Sequence, residues 1–157
     1  MRRELDSPSA TEAFAGELAT LLNPGLMIHL EGDLGAGKTT FCRGLIHALG
    51  HRGAVKSPTF TVVEPYRLDT LEIYHCDLYR LTDPEELDYM GFEDYVHANS
   101  ICLVEWPGKG EGVLPKADLI ISLAAPSNDV RLLELNAKSG SGEAIVRRLR
   151  ADEESSS

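Results

Sequence analysis

Phe14, Leu18, Leu21 and Leu22 recur at helical spacing. Ahead of them, Ser9-Ala10-Thr11-Glu12 reads as a capping box in which the Ser9 hydroxyl oxygen accepts from the Glu12 amide. The pattern predicts an amphipathic helix that ends near Asn23-Pro24-Gly25. Leu26-Met27-Ile28-His29-Leu30 follows as a nearly continuous apolar run, suited to a strand covered on both faces. A second helical period begins at about Gly37, carries Phe41, Leu45, Ile46 and Leu49 on one face, and stops at Gly50.

From Thr59 to Tyr79 the pattern turns β-rich. Thr61-Val62-Val63 and Leu71-Glu72-Ile73-Tyr74 flank polar Arg67-Leu68-Asp69-Thr70, which predicts two antiparallel strands. Asp83-Pro84-Glu85-Glu86 supplies an N-cap, a proline at the first helical position and an acidic first turn, so a helix is expected there until Gly91 interrupts it. Ile101-Cys102-Leu103-Val104 reads as another buried strand. Asp118 to Leu123 and Val130 to Leu135, separated by Pro126-Ser127-Asn128-Asp129, predict a closing hairpin. A final helix is expected over Gly142 to Leu149, with residues 151–157 as a disordered acidic tail. Strands alternating with helices make this an α/β chain: a mostly parallel sheet with antiparallel additions, flanked by helices. At 157 residues it is expected to form one domain over residues 1–150.

Charge narrows the function classes. Fifteen basic residues against twenty-five acidic ones give a net charge of −10. Phosphate binding rests on clusters of Lys and Arg that release counterions, so extended contact with DNA, RNA or an anionic membrane is disfavoured. No apolar run approaches the ~18 residues of a membrane span, and no apolar segment follows Met1-Arg2-Arg3-Glu4, so the expected compartment is the cytoplasm. Cys42, Cys76 and Cys102 are odd in number and widely spaced, which fits buried thiols better than a disulfide framework or a zinc site.

The chemistry enters at Gly32-Asp33-Leu34-Gly35-Ala36-Gly37-Lys38-Thr39, which matches the phosphate-loop pattern G-x-x-x-x-G-K-[ST] in full. Glycines let such a loop wrap a phosphate with inward-facing amides, and the helix that follows presents its positive end to the same charge. Lys38 is expected to reach the β- and γ-phosphates, and the Thr39 hydroxyl to ligate Mg²⁺. An apolar strand before the loop and an amphipathic helix after it supply the setting the motif requires. P-loop proteins also hold Mg²⁺ through an acid at the end of a second buried strand, and Glu105 stands at that position although Asp is usual. Trp106 beside it reads by itself as a core or interface anchor.

None of Asn23, Asn99, Asn128 or Asn136 is followed by Lys, so the base-reading segment of a guanine-specific GTPase is missing. Asp88-Tyr89-Met90-Gly91 spells D-x-x-G inside a helical acidic stretch and not at a strand end, a coincidence. A small-molecule kinase, the alternative reading, needs an arginine-bearing lid; the one arginine cluster, Arg147, Arg148 and Arg150, falls on the last helix as a solvated face.

Three further segments accompany the loop in order: Ser57-Pro58-Thr59-Phe60-Thr61, His75-Cys76-Asp77-Leu78-Tyr79-Arg80 and Val104-Glu105-Trp106-Pro107. With Gly32 to Thr40 they closely resemble the TsaE family, also called YjeE, over roughly Ser9 to Leu149. Glutamate in place of aspartate at position 105 matches that family's pattern. The resemblance implies a cytoplasmic P-loop ATPase of bacterial tRNA threonylcarbamoyladenosine biosynthesis. Such a protein uses ATP and Mg²⁺ and works with TsaB and TsaD, meeting tRNA only through those partners.

On that resemblance Asp33, Leu34, Gly35, Ala36, Gly37, Lys38, Thr39 and Thr40 bind the nucleotide. Lys38, Asp77 and Glu105 are catalytic, and Thr39, Glu105 and Asp77 surround the metal. Ser57, Thr59 and Thr61 form a switch-like segment sensitive to the γ-phosphate, and His75, Tyr79, Arg80 and Trp106 are linked to the switch or to partners. Read without the resemblance, the Ser-Pro-Thr stretch is a turn feeding a strand, and His75, Tyr79 and Arg80 are strand residues with satisfied polar ends.

Overall fold

A computed structural model describes residues 1–156. In chain order it contains β1 (Arg2–Leu5), α1 (Pro8–Ala19), β2 (Leu26–Glu31), α2 (Lys38–Ala48), β3 (Val63–Arg67) and β4 (Glu72–Asp77). α3 (Glu86–Tyr89), β5 (Ser100–Glu105), β6 (Leu119–Ala124), β7 (Arg131–Ala137) and α4 (Gly140–Ser156) follow, with 3₁₀ turns at Phe92–Tyr95 and Pro107–Gly110. The strands form one sheet in the order β1-β7-β6-β2-β5-β4-β3. β6, β2, β5 and β4 are mutually parallel, while β7, β1 and β3 add antiparallel edges. This is the expected α/β architecture.

Alternation along the strands divides the core between the two faces of the sheet. Ile28, Leu30 and Leu103 turn toward α1, α2 and α4, where they meet Phe14, Leu18, Phe41, Leu45 and Leu149. Met27, Cys102 and Val104 turn the other way, onto Leu87 and Phe92 from α3 and the first 3₁₀ turn. β2 and β5 are covered on both faces, which is why both read as continuous apolar runs. α1 lies so close to α2 that a Cβ on Gly44 would stand 3.0 Å from the Ala15 Cβ and from the Glu12 Cα. Cys42, Cys76 and Cys102 are buried free thiols, and burial pushes the first two far above the ordinary thiol range and Cys102 up to about 11.

The termini differ from expectation. α1 is capped by Ser7, whose hydroxyl accepts from the Ala10 amide at 3.0 Å, and not by Ser9. Pro8, its φ already helical and its missing N–H no loss at N1, moves the start forward. Arg2–Leu5, which carried no strand signal, pairs with β7. Residues 151–156, expected to be a disordered tail, continue α4, and Arg3 ties the helix down through an ion pair with Glu153. Ser157, the last residue of that expected tail, lies outside the described residues.

The Asp83-Pro84 helix is a single α-turn: Gly91, at φ +72°, ends it and a 3₁₀ turn takes over. β3 begins at Val63, because Val62 sits at φ +70° and leaves the preceding Thr61 outside the ladder. Among the described residues no helix is long and apolar enough to cross a membrane.

Candidate functional site

The carboxyl ends of β2, β5 and β4, three adjacent parallel strands, meet at one edge of the sheet. Glu105 is in register with Leu30 on one side and with Asp77 on the other. Open α/β sheets collect ligands at such an edge. The glycine loop leaves β2 there and runs into α2.

Two glycines in the loop are required by geometry. A Cβ on Gly32 would lie 2.5 Å from the Leu123 carbonyl oxygen. Gly37 takes φ +100° and serves as N-cap of α2 without any side-chain cap, so the first-turn amides of α2 are left to an outside acceptor. An anion is the natural partner for such an end.

A cavity of about 270 Å³ opens over this loop. It is lined by Leu34, Gly35, Gly37, Lys38, Thr39 and Thr40 from the loop, and by Thr59, Asp77, Glu105, Trp106 and Arg131 from elsewhere. The buried Lys38 side chain donates from Nζ to the Gly32 carbonyl, and its ammonium lies 3.5 Å from the centre of the Trp106 ring. Burial lowers the Lys38 pKa from its ordinary value, against the upward pull of Glu105, Asp77 and Asp33. Trp106 reaches that position from a left-handed backbone, φ +57°.

Glu105 is the hub. Both of its oxygens lie 3.2 Å from the Thr39 hydroxyl, and Oε2 lies 2.6 Å from Nε2 of the fully buried His75. Nδ1 of His75 has no hydrogen-bond partner among the described residues. Since the carboxylate oxygen can only accept, it is the Nε2 proton of His75 that is donated to Glu105. Asp77 accepts from the Tyr79 amide at 2.9 Å and from the Thr59 hydroxyl at 3.4 Å. Its burial outweighs these bonds and raises its pKa above the ordinary carboxylate value.

Of the switch-linked residues, Ser57 touches the site through Thr59, their hydroxyls 2.7 Å apart. Tyr79 packs its ring against Trp106 at 5.0 Å, and Arg80 lies over exposed Phe60 at 4.5 Å. Thr61 points away, to Glu64 at 2.9 Å. Of the remaining loop residues, Ala36 is buried beneath the loop and Asp33 caps its turn, the Asp33 carbonyl accepting from the Ala36 amide at 3.1 Å.

Arg131 is the residue that sequence reasoning missed. Its guanidinium reaches the Gly35 carbonyl at 3.3 Å from the start of β7, 96 positions along the chain. A lone arginine after a Pro-Ser-Asn-Asp turn carries no mark of that contact. Arg147, Arg148 and Arg150 are exposed on α4 and do not line the cavity.

Comparison with known proteins points the same way as the geometry. A family model described as "Threonylcarbamoyl adenosine biosynthesis protein TsaE" matches residues 5–133. A Haemophilus influenzae protein named "tRNA threonylcarbamoyladenosine biosynthesis protein TsaE" is 51% identical over 121 residues, 77% of this chain and 76% of its own. A Bacillus subtilis protein of the same name is 38% identical over 143 residues, 91% of this chain and 89% of its own. The crystal structure of Bacillus subtilis YdiB superposes with a TM-score of 0.83 at 33% identity, covering 98% of this chain and 95% of that one. On the family match and the shared fold together, the chain belongs to the TsaE family of tRNA threonylcarbamoyladenosine biosynthesis proteins.

Proposed function

We propose that this protein is a Mg²⁺-dependent ATPase that acts with TsaB and TsaD in the cytoplasm, hydrolysing ATP to sustain turnover of the threonylcarbamoyl transfer complex. The observation that carries this reading is the convergence of Lys38, Thr39, Asp77 and Glu105 on one cavity at the free amide end of α2. The donor set fits the metal, since a hydroxyl and two carboxylates offer the hard oxygens that Mg²⁺ prefers. Bound there, Mg²⁺ supplies positive charge to the β- and γ-phosphate oxygens.

Each side chain then has a definable task. The loop amides and the first turn of α2 bind phosphate oxygens. Lys38 turns its ammonium from the Gly32 carbonyl and the Trp106 face, weak partners, to the stronger phosphate anion. Thr39 and Glu105, already in contact, would hold the metal, and the His75 N–H orients the Glu105 carboxylate. Asp77, with its raised pKa and its place beside Thr59, positions the attacking water and accepts its proton. Thr59 connects that event to the 57–61 segment, so the presence of a γ-phosphate sets the loop's order.

The test is ATP hydrolysis by the purified chain alone and with TsaB and TsaD. Slow turnover alone and acceleration by the partners is the expected result, because a second protein completes the positive charge around the transferring phosphoryl group. Absence of hydrolysis under both conditions would refute the proposal, and a phosphorylated small molecule in place of free phosphate would transfer the site to a kinase.

A further inference from the structure

Three chemically different side chains meet beneath the cavity. Side chains alternate along a strand, so His75 follows Ile73 onto the face of the sheet that α2 covers, while Tyr74 and Cys76 take the other face. Glu105 follows Leu103 onto that same α2 face, opposite to Val104. Cys42 stands one helical turn past Thr39, so α2 presents both residues on one side and buries the thiol against the strands.

One ligand atom from each of Cys42, His75 and Glu105 lies within 4.8 Å of the other two, and all three residues are buried. The three cysteines by themselves make no zinc site, since Cys76 and Cys102 belong to the core on the far face. The fold supplies what their spacing lacks: it sets one thiol against an imidazole and a carboxylate from two neighbouring parallel strands.

Two observations give this trio the character of a binding site. Nδ1 of the fully buried His75 has no hydrogen-bond partner among the described residues, and a buried polar atom that no protein group satisfies is a position for an ion or a water. Glu105 faces both ways, touching His75 at 2.6 Å and also lining the cavity, which gives a small ion a way in. Sulfur, imidazole nitrogen and a single carboxylate oxygen are donors suited to Zn²⁺, and unlike the all-oxygen set that Mg²⁺ takes.

We propose that Cys42, His75 and Glu105 form a zinc-binding site, with the fourth position left to water from the cavity. Zinc bonds of ~2.0–2.3 Å set tetrahedral ligand atoms ~3.3–3.8 Å apart, so occupation requires shifts of about 1 Å. Binding replaces the Sγ–H bond of Cys42 with an Sγ–Zn bond and releases that proton, with any proton on the ligating ring nitrogen, to solvent. Without the ion the thiol stays protonated, because burial holds its pKa well above the ordinary value. A Glu105 oxygen given to zinc is withdrawn from Thr39 and from Mg²⁺, which makes zinc an inhibitor of the proposed hydrolysis. That consequence rests on the nucleotide reading; the metal site does not.

Cobalt(II), which occupies zinc sites and absorbs light, is the probe. It is titrated at excess Mg²⁺ into the reduced full chain and into Cys42→Ser, Cys42→Ala and Cys102→Ala, with thermal unfolding of each variant to confirm the fold. The expected result is a sulfur-to-cobalt charge-transfer band in the near ultraviolet with the intense visible bands of four-coordinate cobalt, saturating at one equivalent and reversed by zinc. Both signals should persist in Cys102→Ala and vanish in the two Cys42 variants. Zinc affinity, read by competition with a chromophoric chelator, should fall about a hundredfold or more in Cys42→Ser. Absence of the band in the unaltered chain, or its persistence in folded Cys42→Ser, would overturn the site. Equimolar zinc should stop phosphate release from ATP by the isolated unaltered chain and spare Cys42→Ser; zinc-insensitive hydrolysis by a chain that carries the cobalt band would overturn the inhibition. A cobalt band in a chain that hydrolyses no ATP, alone or with TsaB and TsaD, would refute the nucleotide reading and leave the metal site standing.

Discussion

Glu105 meets two side chains at once, the Thr39 hydroxyl and the His75 imidazole, and it lies 2% exposed at the bottom of the cavity. In the proposed role its charge matters more than its shape. Glu105→Gln is therefore expected to bind Mg-nucleotide and to hydrolyse it at least a hundredfold more slowly, measured by calorimetry and phosphate release on the same preparation. Wild-type turnover would move the metal role to Asp77. Lys38→Ala should instead weaken nucleotide binding itself, since the ammonium is the one side-chain cation that the loop directs into the cavity beside Arg131.

Asp77 permits a prediction in the opposite sense. Burial raises its pKa in the folded chain above the unfolded value, so folding is penalised once the carboxyl must ionise. The penalty is absent below the ordinary carboxylate range, grows as pH rises toward the raised value, and is complete above it. Asp77→Asn should accordingly raise the unfolding midpoint at neutral pH by about 2–4 °C and make no difference in acid, while hydrolysis falls. Equal midpoints at neutral pH would show that the bonds from Tyr79 and Thr59 offset the burial.

At the level of elements, one contact shows how tightly α4 is seated. A Cβ on Gly142 would lie 2.0 Å from the Asp118 carbonyl oxygen, a backbone atom that cannot yield without moving β6. Asp118 is itself held: its carboxylate accepts from the Met27 amide at 2.8 Å and from the Ser139 hydroxyl at 2.7 Å, and Ser139 Oγ in turn accepts from the Gly142 amide at 3.1 Å. Gly142→Ala is expected to cost about 3 kcal/mol in urea unfolding. Gly140→Ala, where an added Cβ meets nothing within 4 Å, should be neutral or slightly stabilising.

The same elements separate what local pattern conveys from what it does not. β2, β5, α2 and the β6–β7 hairpin were legible because each buries a stripe or a run long enough to impose its own period. β1 was not, because an edge strand of two arginines, a glutamate and one leucine has no period and is chosen by the open edge of β7.

Across the whole molecule, a net charge of −10 stands beside membership of a family that serves tRNA modification. An acidic surface repels phosphate on average, so under the proposed function tRNA affinity is expected to reside in TsaB and TsaD and not in this chain. Labelled tRNA titrated at physiological salt should bind the isolated chain weakly and bind tightly once the partners are present. Tight binding by this chain alone would show that a local basic pocket outweighs the global field.

What the chain determines by itself is local: the strand–loop–helix unit around Gly32 to Thr39, the acid at the end of a buried strand, and four ordered motifs that mark the family. These are readable because the chemistry depends on neighbours within a few residues, where backbone spacing imposes geometry. Only the tertiary structure decided what is distant along the chain. Parallel pairing in register set Asp77 and Glu105 side by side, packing buried His75 under the carboxylate, and a hairpin closing against the sheet carried Arg131 across 96 positions to the loop. Such contacts leave no periodic trace, because each depends on the mutual placement of elements and not on the residues that flank it.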